Sequence, residues 1–150
     1  FQIMTINIEE VAYGSEGYKA LLKLRYEILR RPLGLELSTK DVAVDDKEFH
    51  IAAFDNGNAV GCVLLRPINT DVIKLRQMAV SDECQGQGVG AKLVRYAEEL
   101  AAARGFKIME THARTFAKGF YEKLGYTAEG EEFTEVTVTT IKMVKILKTI

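Results

Sequence analysis

Three glycines at alternate positions, Gly86, Gly88 and Gly90, stand in the hexapeptide Gln85-Gly86-Gln87-Gly88-Val89-Gly90. The segment follows a stretch with strand character and opens one with helical spacing. Without Cβ atoms such a loop leaves backbone N–H groups free to converge on an anion, and the helix behind it adds its positive N-terminal end. The chemistry on offer is phosphate binding. Spacing alone also allows a plain turn.

Two nucleotide motifs fail in detail. A Walker A loop needs Gly-Lys-[Ser/Thr], whereas Gly90 is followed by Ala91-Lys92-Leu93. A dinucleotide fingerprint needs G-x-G-x-x-G, and this loop runs G-x-G-x-G. Glu110 lies about twenty residues on, where a ribose-binding acid would sit, but only 40 residues follow it, too few for the second half of a doubly wound sheet. Cys84 stands beside the loop, where a helix N-terminus would lower a thiol's pKa and make an acyl-cysteine conceivable. The two His and two Cys show no metal-ligand spacing, so no metal is expected.

These residues need a scaffold. A first strand is expected over Ile3 to Val11, then a helix from Glu16 to Arg31 with Ser15 as N-cap, ended by Pro32 and Gly34. Ser38 to Lys47 is polar, with a helical turn at most. Glu48–Phe54 and Ala59–Arg66 read as a hairpin around Asp55-Asn56-Gly57-Asn58, and Asp71–Val80 as a further strand. A helix from Val89 to Arg104 carries Leu93, Val94, Ala97, Leu100 and Ala101 on one stripe. Phe106–His112 is then a strand, Phe116–Leu124 a short helix and Tyr126–Glu131 a strand. The Thr- and Val-rich tail from Glu135 to Leu147 reads as a last strand. This order implies an α/β domain with a mixed, largely antiparallel sheet.

The 150 residues suit a single domain over 1–150, and 47% hydrophobic with 27% charged residues is ordinary globular composition. Lys and Arg number 20 against 21 Asp and Glu, net −1, so no basic field points to nucleic acid. No apolar run reaches the ~18–20 residues of a membrane span, and no signal peptide is recognisable. With only two cysteines, a cytoplasmic location is the expectation.

The segment Gln85-x-x-Gly88-x-Gly90, preceded by Leu75-Arg76-Gln77-Met78-Ala79-Val80, resembles the acyl-CoA signature [Gln/Arg]-x-x-Gly-x-[Gly/Ala] of the GNAT superfamily. A second block, Phe116 to Tyr126 (FAKGFYEKLGY), is similar to that family's later helix with its F-Y-E-K-x-G-[FY] pattern. Leu24 to Leu35, His112 to Arg114 and Phe133 to Met143 resemble the ElaA-like and YjcF-like branch, so that about 120 residues are covered. Branch members often carry Gly-[Ile/Val]-Pro-His where this chain has Thr137-Val138-Thr139-Thr140, so no His-dependent contact is expected there.

The resemblance implies a GNAT-like fold: six to seven strands, mostly antiparallel, flanked by helices, with central strands splayed into a V. It implies an enzyme transferring acetyl from acetyl-CoA directly to a primary amine of a small molecule or peptide. The same-fold alternative is a non-catalytic acyl-CoA-binding sensor or assembly module. Met78, Ala79 and Val80 would meet pantetheine, Gln85 to Gly90 and Ala91 the pyrophosphate, and Phe116 and Ala117 the thioester side. Direct transfer leaves Cys84 incidental. Tyr121 matches the family's acid tyrosine, with ordinary core packing as its competing role; His112 is the candidate base, with Glu27, Glu110 and Glu135 behind it. Arg25, Arg30 and Arg31 would favour an anionic substrate or simply decorate a helix face. A homodimer through the C-terminal strand is also implied.

Overall fold

The computed structural model describes residues 5–148. Ile3, where the first strand was expected to begin, lies outside them; strand β1 spans Ile6–Val11. The Ser15 side chain accepts the Tyr18 N–H at 3.2 Å and opens α1, Glu16–Arg25. The backbone stays helical beyond it but widens to a π-turn at Tyr26–Arg30, then tightens to a 3-10 turn at Arg31–Leu33. Pro32 supplies no N–H for a regular ladder, and Gly34 closes the segment in the left-handed region at φ +70°. The polar stretch carries one short helix, α2 (Thr39–Val42), held by a capping box between Ser38 and Asp41.

Strands β2 (Phe49–Asp55) and β3 (Asn58–Pro67) form the expected hairpin. Its two turn residues, Asn56 and Gly57, have φ of +50° and +81°, the left-handed pair that a tight hairpin requires. Then follow β4 (Val72–Val80), α3 (Val89–Ala103), β5 (Ile108–Arg114), α4 (Lys118–Lys123), β6 (Thr127–Glu135) and β7 (Val138–Ile146). The seven strands run in the order β1-β2-β3-β4-β5-β7-β6, in a mixed sheet whose β4–β5 pair is parallel. That ladder reaches from Val72–Ile108 to Leu75–Thr111, although both strands continue further.

The chain divides into two compact units. The first comprises the residues up to Arg66 with Gln77–Ala97. Its core joins Leu21 and Leu24 of α1 to Ala52, Cys62 and Ala79 on three strands. Gly61 faces α3 so closely that a Cβ there would stand 2.9 Å from a Leu93 methyl, so glycine lets the helix seat on β3.

The second unit comprises Pro67–Arg76 and the chain from Glu98 onward. Met109 and Met143 fill its centre, while Lys145 bonds Glu98 (2.9 Å) and the Leu124 carbonyl (2.7 Å). The two strands expected over Tyr126–Glu131 and Glu135–Leu147 are both present, but the boundary between them is shifted: β6 runs on to Glu135, and a turn at Val136 and Thr137 leads into β7. Both turn residues have positive φ, +49° and +62°, unusual for β-branched side chains. With no Gly or Asn at these positions, local turn chemistry did not mark the reversal.

Candidate active site

In the first unit, β4 delivers the chain to the glycine loop. Ser81 N–H bonds the Val60 carbonyl at 2.8 Å and anchors the strand end. A 3-10 turn at Asp82–Cys84 follows, and the Gln85 side-chain amide folds back to donate to the Val80 carbonyl (3.3 Å) and Asp82 (3.2 Å). Gln87 likewise donates to the Glu83 carbonyl at 3.2 Å. Both glutamine amides are thus bonded within the loop region.

Gly86 and Gly88 take φ of +79° and +81°, and a Cβ on either would meet nothing within 4 Å. The loop is thus a left-handed, open cradle at the start of a fifteen-residue helix. The Lys92 N–H bonds the Gly88 carbonyl at 3.1 Å; the first-turn amides ahead of it have no intrahelical acceptor. Val89 is buried, so only its main chain can serve a ligand, while Gly90 and Ala91 are half-buried in the first turn. Met78 and Val80 are also half-buried, and Ala79 is buried.

The environment of Cys84 does not support the activated-thiol alternative. Its side chain is buried, and that burial, with the carboxylates of Glu83 and Asp55, raises its pKa instead.

In the second unit, Tyr121 of α4 is only 5% exposed. Its ring packs edge-on against Phe120 and Tyr126, with centroids 5.0 and 5.5 Å away, and its hydroxyl hydrogen bonds Thr111. Burial pushes the phenol up to about 12, and the Thr111 contact offsets only part of this. Thr111 and His112 are neighbours on β5 and so project to opposite faces, Tyr121 on the first and Glu135 on the second. His112 Nδ1 stands 2.8 Å from Glu135 Oε2, with the Phe133 ring edge-on at 5.2 Å. Phe116 is 79% exposed and Ala117 half-buried, both in the 3-10 turn before α4. Of the other carboxylates, Glu110 pairs with Lys142 at 3.2 Å and Glu27 is exposed.

Arg31 is exposed, but the other two arginines of the first helix depart most from expectation. Arg25 is completely buried against Asp45, and Arg30 pairs with Asp41 at 2.9 Å; neither decorates a surface. Only a tertiary partner in the 38–47 segment makes such burial possible. Sequence reasoning also passed over Gly61, whose place inside a strand pattern was the available signal, and Gln77, for which there was none.

The model of the acetyltransferase (GNAT) family matches residues 15–126, three quarters of the chain, including both the glycine loop and the F-Y-E-K block. The chain belongs to the GNAT acetyltransferase family. The N-acetyltransferase YitI of Bacillus subtilis, itself uncharacterized, is 26% identical over 138 residues, covering 88% of this chain and 86% of YitI. Among solved GNAT-fold structures, a putative N-acetyltransferase from Lactobacillus plantarum superposes with a TM-score of 0.85 at 23% identity, covering 98% of this chain and all of that one. Escherichia coli ElaA gives 0.79 at 19%, with 95% and 99% covered. An aminoglycoside 6'-N-acetyltransferase complexed with coenzyme A gives 0.75 at 21%, with 93% and 96% covered. At these identities the structural matches establish the fold, which is the one the two sequence blocks implied.

No helix among the described residues is long and apolar enough to cross a membrane. Among the same residues, no group of three or more His, Cys, Asp and Glu is placed to hold a metal ion.

Proposed function

We propose that this chain is an acetyl-CoA-dependent N-acetyltransferase acting on a primary amine of a small molecule or peptide. The loop carries the reading: two left-handed glycines, Gly86 and Gly88, leave open space where any side chain would stand, directly before a long helix. Main-chain amides from Gln85 to Ala91 are assigned to the pyrophosphate and those of Met78 to Val80 to the pantetheine arm. Phe116 and Ala117 are assigned to the thioester side. The coenzyme A in the aminoglycoside enzyme of the same fold supports that choice of cofactor.

Bound acetyl-CoA supplies the thioester, which the amine attacks with release of the CoA thiolate. Tyr121 remains a neutral phenol at physiological pH because its pKa is about 12, so it can donate a hydrogen bond to developing negative charge. An alkylammonium with a pKa near ~10 must lose a proton before it can attack. His112 projects to the face of β5 opposite Tyr121, so it is assigned that proton through intervening water, with Glu135 orienting its Nδ1 side. We read residues 1–150 as a single acyltransferase domain, a reading supported by the family match over residues 15–126. A cytoplasmic location fits two buried thiols that form no disulfide.

The test is release of CoA thiol from acetyl-CoA with polyamines, aminoglycosides, amino acids and peptide N-termini as acceptors. We expect amine-dependent turnover with at least one class, reduced about 10²–10⁴-fold in Tyr121→Phe. Binding of acetyl-CoA without turnover on any amine would favour the non-catalytic module, and unchanged turnover in Tyr121→Phe would remove that residue from the chemistry.

A further inference from the structure

The buried Arg25 guanidinium is used on two sides. Nη1 donates to Asp45 Oδ2 at 2.7 Å and Nη2 to the Asp41 carbonyl at 3.2 Å, while Nε donates to Gln77 Oε1 at 2.8 Å. Asp45, equally buried, also accepts from the Tyr18 hydroxyl at 2.6 Å, and its carbonyl lies 2.7 Å from His50 Nε2. A buried ion pair of this kind adds little net stability over a well-packed apolar replacement. Its role is better sought in the geometry it imposes.

That geometry centres on Gln77, whose φ is +54°. The other non-glycine residues with positive φ among those described, Asn56, Val136 and Thr137, occupy hairpin turns; Gln77 lies inside a strand. Glutamine has no preference for this region, unlike Gly or Asn, so the conformation must be held from outside. Arg25 grips the side chain. Cys62 grips the main chain, its thiol donating to the Gln77 carbonyl at 3.6 Å and accepting the Ala79 N–H. Burial pushes that thiol up to about 12 and keeps it protonated as a donor.

We propose that Arg25 and Cys62 are positioning residues for cofactor binding: they lock a left-handed kink at Gln77 that sets the direction of the Met78, Ala79 and Val80 peptide groups. The inference rests on the assignment of those groups to the pantetheine arm. Lysine could not replace Arg25, because a point charge lacks the planar fork that serves Asp45 and Gln77 together. The kink is therefore imposed on β4 by α1 and β3 through side chains.

The experiment leaves the Arg25–Asp45 pair intact, so that folding is preserved, and changes Gln77. Acetyl-CoA KM and kcat at saturating amine are measured for Gln77→Leu and Gln77→Glu, with amide hydrogen exchange at residues 78–80 in the ligand-free chain. Gln77→Leu, lacking an acceptor, is expected to raise KM about tenfold with kcat within about twofold, and to speed exchange at those amides about tenfold. Gln77→Glu keeps an acceptor for Nε–H and is expected to stay within about twofold of the parent in all three. Unchanged KM and exchange in Gln77→Leu, or equal losses in both variants, would overturn the proposal. Should the parent chain fail to bind acetyl-CoA, the functional reading falls, and the exchange rates still decide whether Arg25 holds the kink.

Discussion

Replacing Gly88 with valine discriminates between a cofactor cradle and a mere turn. The residue stands at φ +81°, and a Cβ there would meet nothing within 4 Å, so the substitution creates no clash in the ligand-free chain. Its intrinsic cost is backbone strain of about 1–2 kcal/mol, which lowers the unliganded Tm by roughly 2–8 °C. The valine side chain would, however, occupy the space a phosphate needs. Gly34→Val supplies the control: Gly34 has φ +70°, is equally open and lies after α1, away from the loop in sequence. In the parent, acetyl-CoA at about 100 Kd adds about 2.7 kcal/mol by mass action and raises Tm by roughly 5–11 °C. Differential scanning fluorimetry with and without acetyl-CoA is expected to show lowered baselines for both variants. Only Gly88→Val loses the ligand-induced rise. A full rise in Gly88→Val refutes the loop assignment, and no rise in the parent refutes the cofactor.

Three further outcomes are expected. Burial alone would raise the Asp41 carboxyl, but hydrogen bonds from Arg30 and Ser38 outweigh it and lower its pKa from 3.8 to about 2. A depressed carboxylate contributes stability above its unfolded pKa and loses it as pH falls through the folded value, so Asp41→Asn costs about 2 kcal/mol at pH 7 and progressively less between about pH 4 and 2, read from urea midpoints. At the β6–β7 turn, Val136→Asn with Thr137→Gly relieves two left-handed β-branched residues and is expected to raise Tm by roughly 2–4 °C; a fall would show that other contacts set this turn. His112→Gln is expected to lower kcat/KM by about 10²–10⁴-fold; a parental kcat/KM would dismiss His112 as the base.

The resemblance to GNAT proteins was legible because its two blocks are local. A glycine cradle and the F-Y-E-K helix are short runs whose chemistry depends on neighbours in sequence, and the same holds for the Asn56-Gly57 turn and the Ser15 cap. Element order and the mixed sheet followed from hydrophobic periodicity, which each segment carries for itself. Boundaries slipped where local signals were silent: the π-turn after Arg25 looks like ordinary helix, and the Val136-Thr137 reversal carries strand-forming residues.

What tertiary structure decided were the environments of side chains. Cys84 sits beside a helix N-terminus in the sequence, yet burial against acidic neighbours turns its pKa upward. Arg25 lies on a helix that periodicity alone would leave partly solvated, yet Asp45, twenty residues away, takes it wholly into the interior. His112 and Glu135 are separated by 22 intervening residues and come within 2.8 Å because β5, β7 and β6 lie side by side. Spacing along the chain determined which groups could bind an anion through their own backbone. Which side chains are buried, paired or held in a left-handed kink depends on partners distant in sequence, and only the folded chain brings those partners together.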